Sequence, residues 1–178
     1  MPHPSPTRDR ILDALQDLLI EHGERAATLD AVAQRAGVSK GGLLYHFGSK
    51  EALIDGLTDR LHGLVEADIA LMRAAPAGPV DYFIRTSVST EGAFDRCILA
   101  AARLAQGAHP AARDALQSAQ AAWLEVITDT VHDPGIARTI MLLGDGLYYN
   151  SSMGAGAIGG REMDDLLAIA ARLAQLAR

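Results

Sequence analysis

Apolar residues recur at spacings of three and four along nearly the whole chain, and no stretch alternates apolar with polar as a half-buried strand would. Ile11, Leu12, Ala14, Leu15, Leu18 and Leu19 set the pattern, which stops at Gly23. Such a chain buries its apolar stripes by packing helix on helix. The expected fold is therefore all-α, with about nine helices.

Local signals divide the pattern. Thr28 and Ser39 are N-caps for two short helices separated by Gly37, and Ser49 caps a longer one that turns Leu53, Leu57, Leu61, Leu64, Ile69 and Met72 inward. Ala75-Pro76-Ala77-Gly78-Pro79 interrupts the chain. A further helix is expected to end near Thr90 to Gly92, and another to stop at Gly107 and Pro110. A helix closed by Val131 comes next, and Asp133-Pro134 reads as cap followed by first-turn proline. Residues 2–6, PHPSP, are expected to form a mobile arm.

The segment VAQRAGVSKGGLLYHF, residues 32–47, is the most informative. Ala33 lets two helices cross closely, Gly37 tolerates positive φ in the turn, and Val38 seals the pair. With Val32, Ala36, Val38, Leu43 and Phe47 facing inward, Lys40, Gly41, Gly42, Tyr45 and His46 face outward. Two glycines at a helix start cost stability, about 1 kcal/mol each in an interior position. Close approach of the backbone to a DNA groove is a reason to bear that cost. Lys40 supplies charge, and Tyr45 and His46 supply donors for phosphates. Thr28 and Lys50 stand at neighbouring helix starts.

The formal net charge of −6 seems to argue against such a partner. Residues 1–50 carry six basic and six acidic side chains, so all the excess acid lies in residues 51–178. An acidic body permits DNA binding by a locally basic face, and disfavours indiscriminate coating of DNA or anionic membranes.

Thr28-Leu29 followed by the block VAQRAGVSKGGLLYHFGSKEALI strongly resembles the DNA-binding domain of TetR-family transcriptional regulators, over about residues 8–55. The resemblance implies an all-α homodimer that binds a palindromic double-stranded operator, usually as a repressor released by a small-molecule effector. It divides the chain into a three-helix helix-turn-helix domain, 1–50, and a ligand-binding and dimerisation bundle, 51–178. Thr28, Ser39, Lys40, Gly41, Tyr45, His46 and Lys50 fall on positions that touch DNA in that family, and Gly42 lies among them. Gly42 and Leu44 depart from the threonine and tyrosine common there. Gly42 shifts readout toward shape, and Leu44 lacks a phenolic phosphate contact.

The C-terminal part carries no comparable motif. Met72, Phe83, Phe94, Cys97, Trp123, Met141 and Tyr148 are candidate lining for an effector pocket, with His109, Asp145 and Asn150 as candidate orienting groups. Core packing explains most of these equally well. Aromatics are only 4% of the chain, which argues against a large aromatic cage. Leu143, Leu147, Leu166, Ile169 and Leu173 are the candidate dimer seam, with small residues such as Gly144 and Gly146 allowing close approach.

Other signals are weaker. Gly154 to Gly159 reads G-x-G-x-x-G, but the preceding segment is helical and no βαβ unit surrounds it, so a loop is expected. The histidines show no i, i+4 pair and Cys97 is the single cysteine, so no metal site or cofactor is expected. Cys97 is either a redox sensor or a small core residue. No apolar run reaches membrane-spanning length and no secretory signal precedes the first helix, which points to the cytoplasm. The competing functions are a sequence-tolerant architectural DNA binder without effector and an all-α enzyme. The absence of a catalytic constellation disfavours the enzyme.

Overall fold

The computed structural model describes residues 6–88, 92–107, 109–154 and 158–176. Among the described residues there are nine α-helices, one 3-10 turn and no strand. The helices are α1 (Pro6–His22), α2 (Leu29–Ala36), α3 (Lys40–His46), α4 (Lys50–Ala74), α5 (Pro79–Thr86), α6 (Ala93–Ala105), α7 (Pro110–Val131), α8 (Pro134–Ser152) and α9 (Gly160–Leu176), with the 3-10 turn at Glu24–Ala26.

The local signals act as their chemistry dictates. Thr28 Oγ1 accepts from the Ala31 amide at 3.2 Å, Ser39 Oγ from Gly42 at 3.0 Å, Ser49 Oγ from Ala52 at 3.1 Å and Asp133 Oδ1 from Ile136 at 2.8 Å. Each satisfies an amide that the first helical turn leaves without a partner. Gly37 closes α2 in the left-handed region, φ 67° and ψ 34°, which costs glycine nothing. Two expectations move. Pro6 opens α1 rather than belonging to an arm, and α5 ends at Thr86. Residues 1–5 and 89–91, on which the rest of those expectations fall, lie outside the described residues, as do residues 155–157 of the glycine-rich motif.

The chain forms two compact units. The first comprises residues 1–64 and 93–117. Here α1 packs on α2 and α6, and α2 on α3, around a core that includes Ile11, Leu15, Leu19, Val32, Leu43 and Leu57. The second comprises residues 65–92 and 118–178. In it α5 packs on α8 and α9 around Met72, Phe83, Ile84, Ile127, Ile140 and Met141. Gly144 is buried where α5 meets α8, and a β-carbon there would collide with the Phe83 ring and with Ser87 Oγ at 2.9 Å. Residues 93–117 thus sit with the N-terminal unit, because α6 buries Cys97, Ala100, Ala101 and Leu104.

Candidate nucleic-acid interface

The first unit presents α3 as a short ridge. Leu43 is fully buried and Phe47 nearly so, which anchors the helix from beneath. Ala36 and Val38 are half-buried at the edge of that seam. Lys40, Gly41, Leu44 and Tyr45 are exposed, Tyr45 by 87%, while Gly42 and His46 are half-buried. The Tyr45 and His46 rings meet edge to face, 5.2 Å between centroids. So exposed a tyrosine ring leaves apolar area in water, which a partner surface can reclaim.

Thr28 and Ser39 also lie on the exposed side, at the starts of α2 and α3. Each hydroxyl oxygen accepts a capping bond, so its own hydrogen can donate to a phosphate. A β-carbon on Gly41 would reach nothing closer than Ser39 Oγ at 4.0 Å, whereas one on Gly42 would press on that oxygen at 3.3 Å. Gly41 is therefore open for steric reasons unrelated to folding. Gly42 is constrained by its own cap.

The two lysines are held. Lys40 Nζ lies 3.0 Å from Asp30 Oδ1, an exposed pair worth at most about 1 kcal/mol and readily exchanged for a phosphate. Lys50 Nζ donates to the Glu24 carbonyl at 3.4 Å and stands 3.8 Å from its carboxylate. His109 Nε2 lies 2.8 Å from the same carboxylate. The hydrogen bond from His109, and after it the charges of His109 and Lys50, hold the Glu24 carboxyl below the usual glutamate range.

This pairing resolves the charge balance. Asp9, Asp13, Asp17 and Glu21 recur every four residues along α1. Arg60 bridges Asp9 and Asp13 at 2.9 and 2.6 Å, Arg35 grips Glu21 at 2.7 Å, and both Arg35 and Arg96 reach Asp17. All six acidic side chains of residues 1–50 are thus engaged by cations or by His109. Arg60, Arg96 and His109 come from outside that segment. Each acid of the α1 stripe thus has a cationic partner within the first unit.

The other candidate residues fall in different places. Phe94 and Cys97 belong to the first unit, and Met72, Phe83, Trp123, Met141 and Tyr148 to the second. Cys97 is fully buried, with Sγ 3.8 Å from the Leu57 carbonyl, and burial pushes its pKa up to about 11. His109 is committed to Glu24, Asn150 is exposed, and burial raises the half-buried Asp145 carboxyl. Of the proposed seam, Leu147 needs correction: it is 5% exposed and fills the core of its own chain. Leu143, Leu166 and Leu173 are half-buried and Ile169 is half-exposed. The exposed large apolar side chains of α8 and its C-cap are instead Leu142 and Tyr149, with Met153 at the cap, on the helical face of Gly146. On α9 they are Ile169 and Leu176.

Sequence reasoning missed Asp68. It accepts from Tyr82 Oη and from Trp123 Nε1, both at 2.8 Å. The available signal was its position: Leu57, Leu61, Val65, Asp68 and Met72 follow one another at helical spacing, and only Asp68 is charged. Among the described residues no group of acidic, histidine and cysteine side chains is arranged to hold a metal, and no helix is long and apolar enough to cross a membrane.

Comparison with known proteins agrees with this geometry. Residues 11–57 match the bacterial regulatory proteins of the tetR family, and residues 78–178 match the tetracyclin repressor-like C-terminal domain. The HTH-type transcriptional regulator UidR of Escherichia coli K12 is 36% identical over 107 residues, which cover 57% of this chain and 52% of UidR. This chain thus spans about half the length of that relative. Salmonella enterica GusR shares the fold at a TM-score of 0.73, with 20% identity over 98% of both chains. The multidrug binding protein EbrR, solved with malachite green, does so at 0.71, with 19% identity over 96% of this chain and 98% of EbrR. With both of its halves matched, this all-α chain belongs to the TetR family of helix-turn-helix, DNA-binding transcriptional regulators.

Proposed function

We propose that this protein is a homodimeric repressor that leaves a palindromic operator when a small molecule binds its second unit. Residues 1–50 carry the DNA contacts, and residues 51–178 carry effector binding and dimerisation. The single observation behind the DNA-binding part is the α3 ridge: Tyr45 stands in solvent, Lys40 is exposed and held only by the exposed Asp30, and the other five acids of the segment are paired away from α3. In this reading α3 enters the major groove, with Gly41 and Gly42 admitting the backbone. Thr28, Ser39, Lys40, Tyr45, His46 and Lys50 meet phosphates or base edges.

The exposed faces of α8 and α9 supply the dimer seam. Leu142, Tyr149, Met153, Ile169 and Leu176 are apolar area in water, and a twofold copy covers it with the same residues. Two α3 helices then stand one DNA turn apart, about 34–36 Å. Effector response is supported by the solved relatives: EbrR carries malachite green, and a Saccharomonospora viridis regulator of similar fold was solved with choline. α4 contributes residues to both units. A ligand that favours one packing of its C-terminal half changes the setting of its N-terminal half, where Gly56 carries the Phe47 ring.

The test is fluorescence anisotropy with the DNA flanking the protein's own gene, at low and physiological salt. Sequence-selective binding that follows a dimer isotherm is expected. Equal affinity for random DNA would point instead to an architectural binder.

A further inference from the structure

The second unit contains one constellation that core packing does not require. Asp68 of α4 is half-buried, and its two oxygens each accept one bond from a neutral donor: the Tyr82 hydroxyl of α5 and the Trp123 indole of α7. Among the described residues no lysine, arginine or histidine is within ion-pairing distance of it. Arg85, one helical turn beyond Tyr82, is committed to Asp81 at 2.7 Å. Asp68 is thus left out of the acid–cation pairing that engages Asp81.

A partly buried carboxylate is stabilised by hydrogen bonds and further by a countercharge. Asp68 has the hydrogen bonds. Tyr82 and Trp123 fix the direction of both oxygens, and lone pairs remain on each. Burial and the neighbouring carboxylate push the Tyr82 hydroxyl up to about 12, so it stays a neutral donor at working pH. The Trp123 ring also lies against Phe83, 6.4 Å between centroids. Two of the chain's eight aromatic side chains therefore meet at one acid, and a third, Phe83, packs on one of them. The carboxylate gives a cation attraction that no neutral ligand receives, and aromatic rings beside it suit a diffuse organic cation better than a strongly hydrated one.

We propose that Asp68, with Tyr82 and Trp123, is the recognition point for an organic ammonium group on the effector. The inference rests on the reading of the second unit as an effector-binding body, and adds the charge of the ligand. A few aromatics suffice because the carboxylate, and not a complete cage, supplies the selectivity.

The experiment uses the full chain and two probes of nearly one shape: benzyltrimethylammonium and its uncharged carbon isostere, neopentylbenzene. Trp123 is the sole tryptophan, so its emission reads the site directly, and calorimetry provides a second readout. The expected result is quenching by the ammonium with a Kd at least about tenfold below that of the isostere. Asp68→Asn, which keeps the shape and an acceptor oxygen, is expected to abolish the preference while retaining cooperative melting. Tyr82→Phe, which keeps the charge, is expected to retain it. Equal affinity for both probes, a preference that survives Asp68→Asn, or no ammonium binding at millimolar concentration would overturn the proposal. DNA binding is measured on the same preparation without probe. Its presence alongside a failed ammonium test sinks only this inference, and its absence sinks the regulator reading itself.

Discussion

The Phe47 ring occupies the place where a β-carbon on Gly56 would stand: that carbon would lie 2.6 Å from Phe47 Cε1. Arg8 covers the same ring, its guanidinium carbon 5.1 Å from the centroid. Phe47, at the end of the helix-turn-helix, is thus clamped between α1 and α4, and a glycine in mid-helix makes the clamp possible. Gly63, two turns further along α4, meets nothing within 4 Å.

These two glycines are expected to respond in opposite directions to alanine. Alanine improves helix propensity by about 1 kcal/mol at either site. At Gly56 the buried Phe47 cannot yield, and overpacking costs about 1–3 kcal/mol, so Gly56→Ala is expected to be net destabilising. Gly63→Ala is expected to stabilise by about 0.5–1 kcal/mol. Urea melts of both variants check the sign.

The ridge makes separable predictions for DNA. Lys40→Ala is expected to lower affinity and to reduce the salt slope by about one, with little loss of stability, because the Asp30 pair is exposed. A β-carbon at Gly41 meets no close neighbour in the free protein, and the position is exposed, so Gly41→Leu is expected to fold and to lose operator binding. Anisotropy titrations at several salt concentrations, set beside thermal melts, decide between contact and mere folding defects. A Gly41→Leu protein with full affinity would remove the close-approach argument.

The dimer seam is expected to fail on introduction of charge at its exposed centre. Tyr149→Asp leaves the core of each chain untouched, since Tyr149 is 63% exposed. If the proposed seam holds, the parent sediments as a dimer, and the variant is expected to sediment as monomer at the same concentration and to lose operator binding with it.

Cys97 is expected to be inert in the folded protein. With burial pushing its pKa up by about two units, to about 11, the thiolate fraction at neutral pH falls by roughly 100-fold, and burial blocks access as well. Labelling with a thiol reagent is expected to be slow under native conditions and immediate in denaturant. Rapid native labelling would favour a redox role.

The Glu24 cluster predicts an acid limb. A carboxyl depressed by folding contributes stability that is fully present above its unfolded value, about 4.3, and is lost as pH falls through its folded value. Glu21 is depressed in the same direction by Arg35. Melting temperature is expected to hold between neutral pH and about 5, then fall. Glu24→Gln is expected to flatten part of that fall while leaving the neutral plateau lower.

Most of the helical scaffold was legible because its signals are local. A capping hydroxyl, a left-handed glycine or a proline in the first turn acts within four residues, and Thr28, Ser39, Gly37 and Asp133-Pro134 all perform as their chemistry dictates. Lys40, Gly41 and Tyr45 were legible as an outward set for the same reason, since the inward positions of a seven-residue helix leave few alternatives. Leu147 was not. Periodicity names the stripe of α8 that is apolar, but α8 has two apolar directions, one toward Phe83 and one toward solvent. Only packing against α5 decides which one holds Leu147.

The sequence by itself determined the nine helices, their caps and the exposed ridge of α3, because these depend on interactions between near neighbours along the chain. The tertiary structure alone decided that the acids of α1 are answered by Arg60, Arg96 and Arg35, that Glu24 meets His109, and that Asp68 faces Tyr82 and Trp123. Those partners lie 14 to 85 residues apart. Charge pairing over such separations follows from how helices settle on one another, which no local pattern encodes.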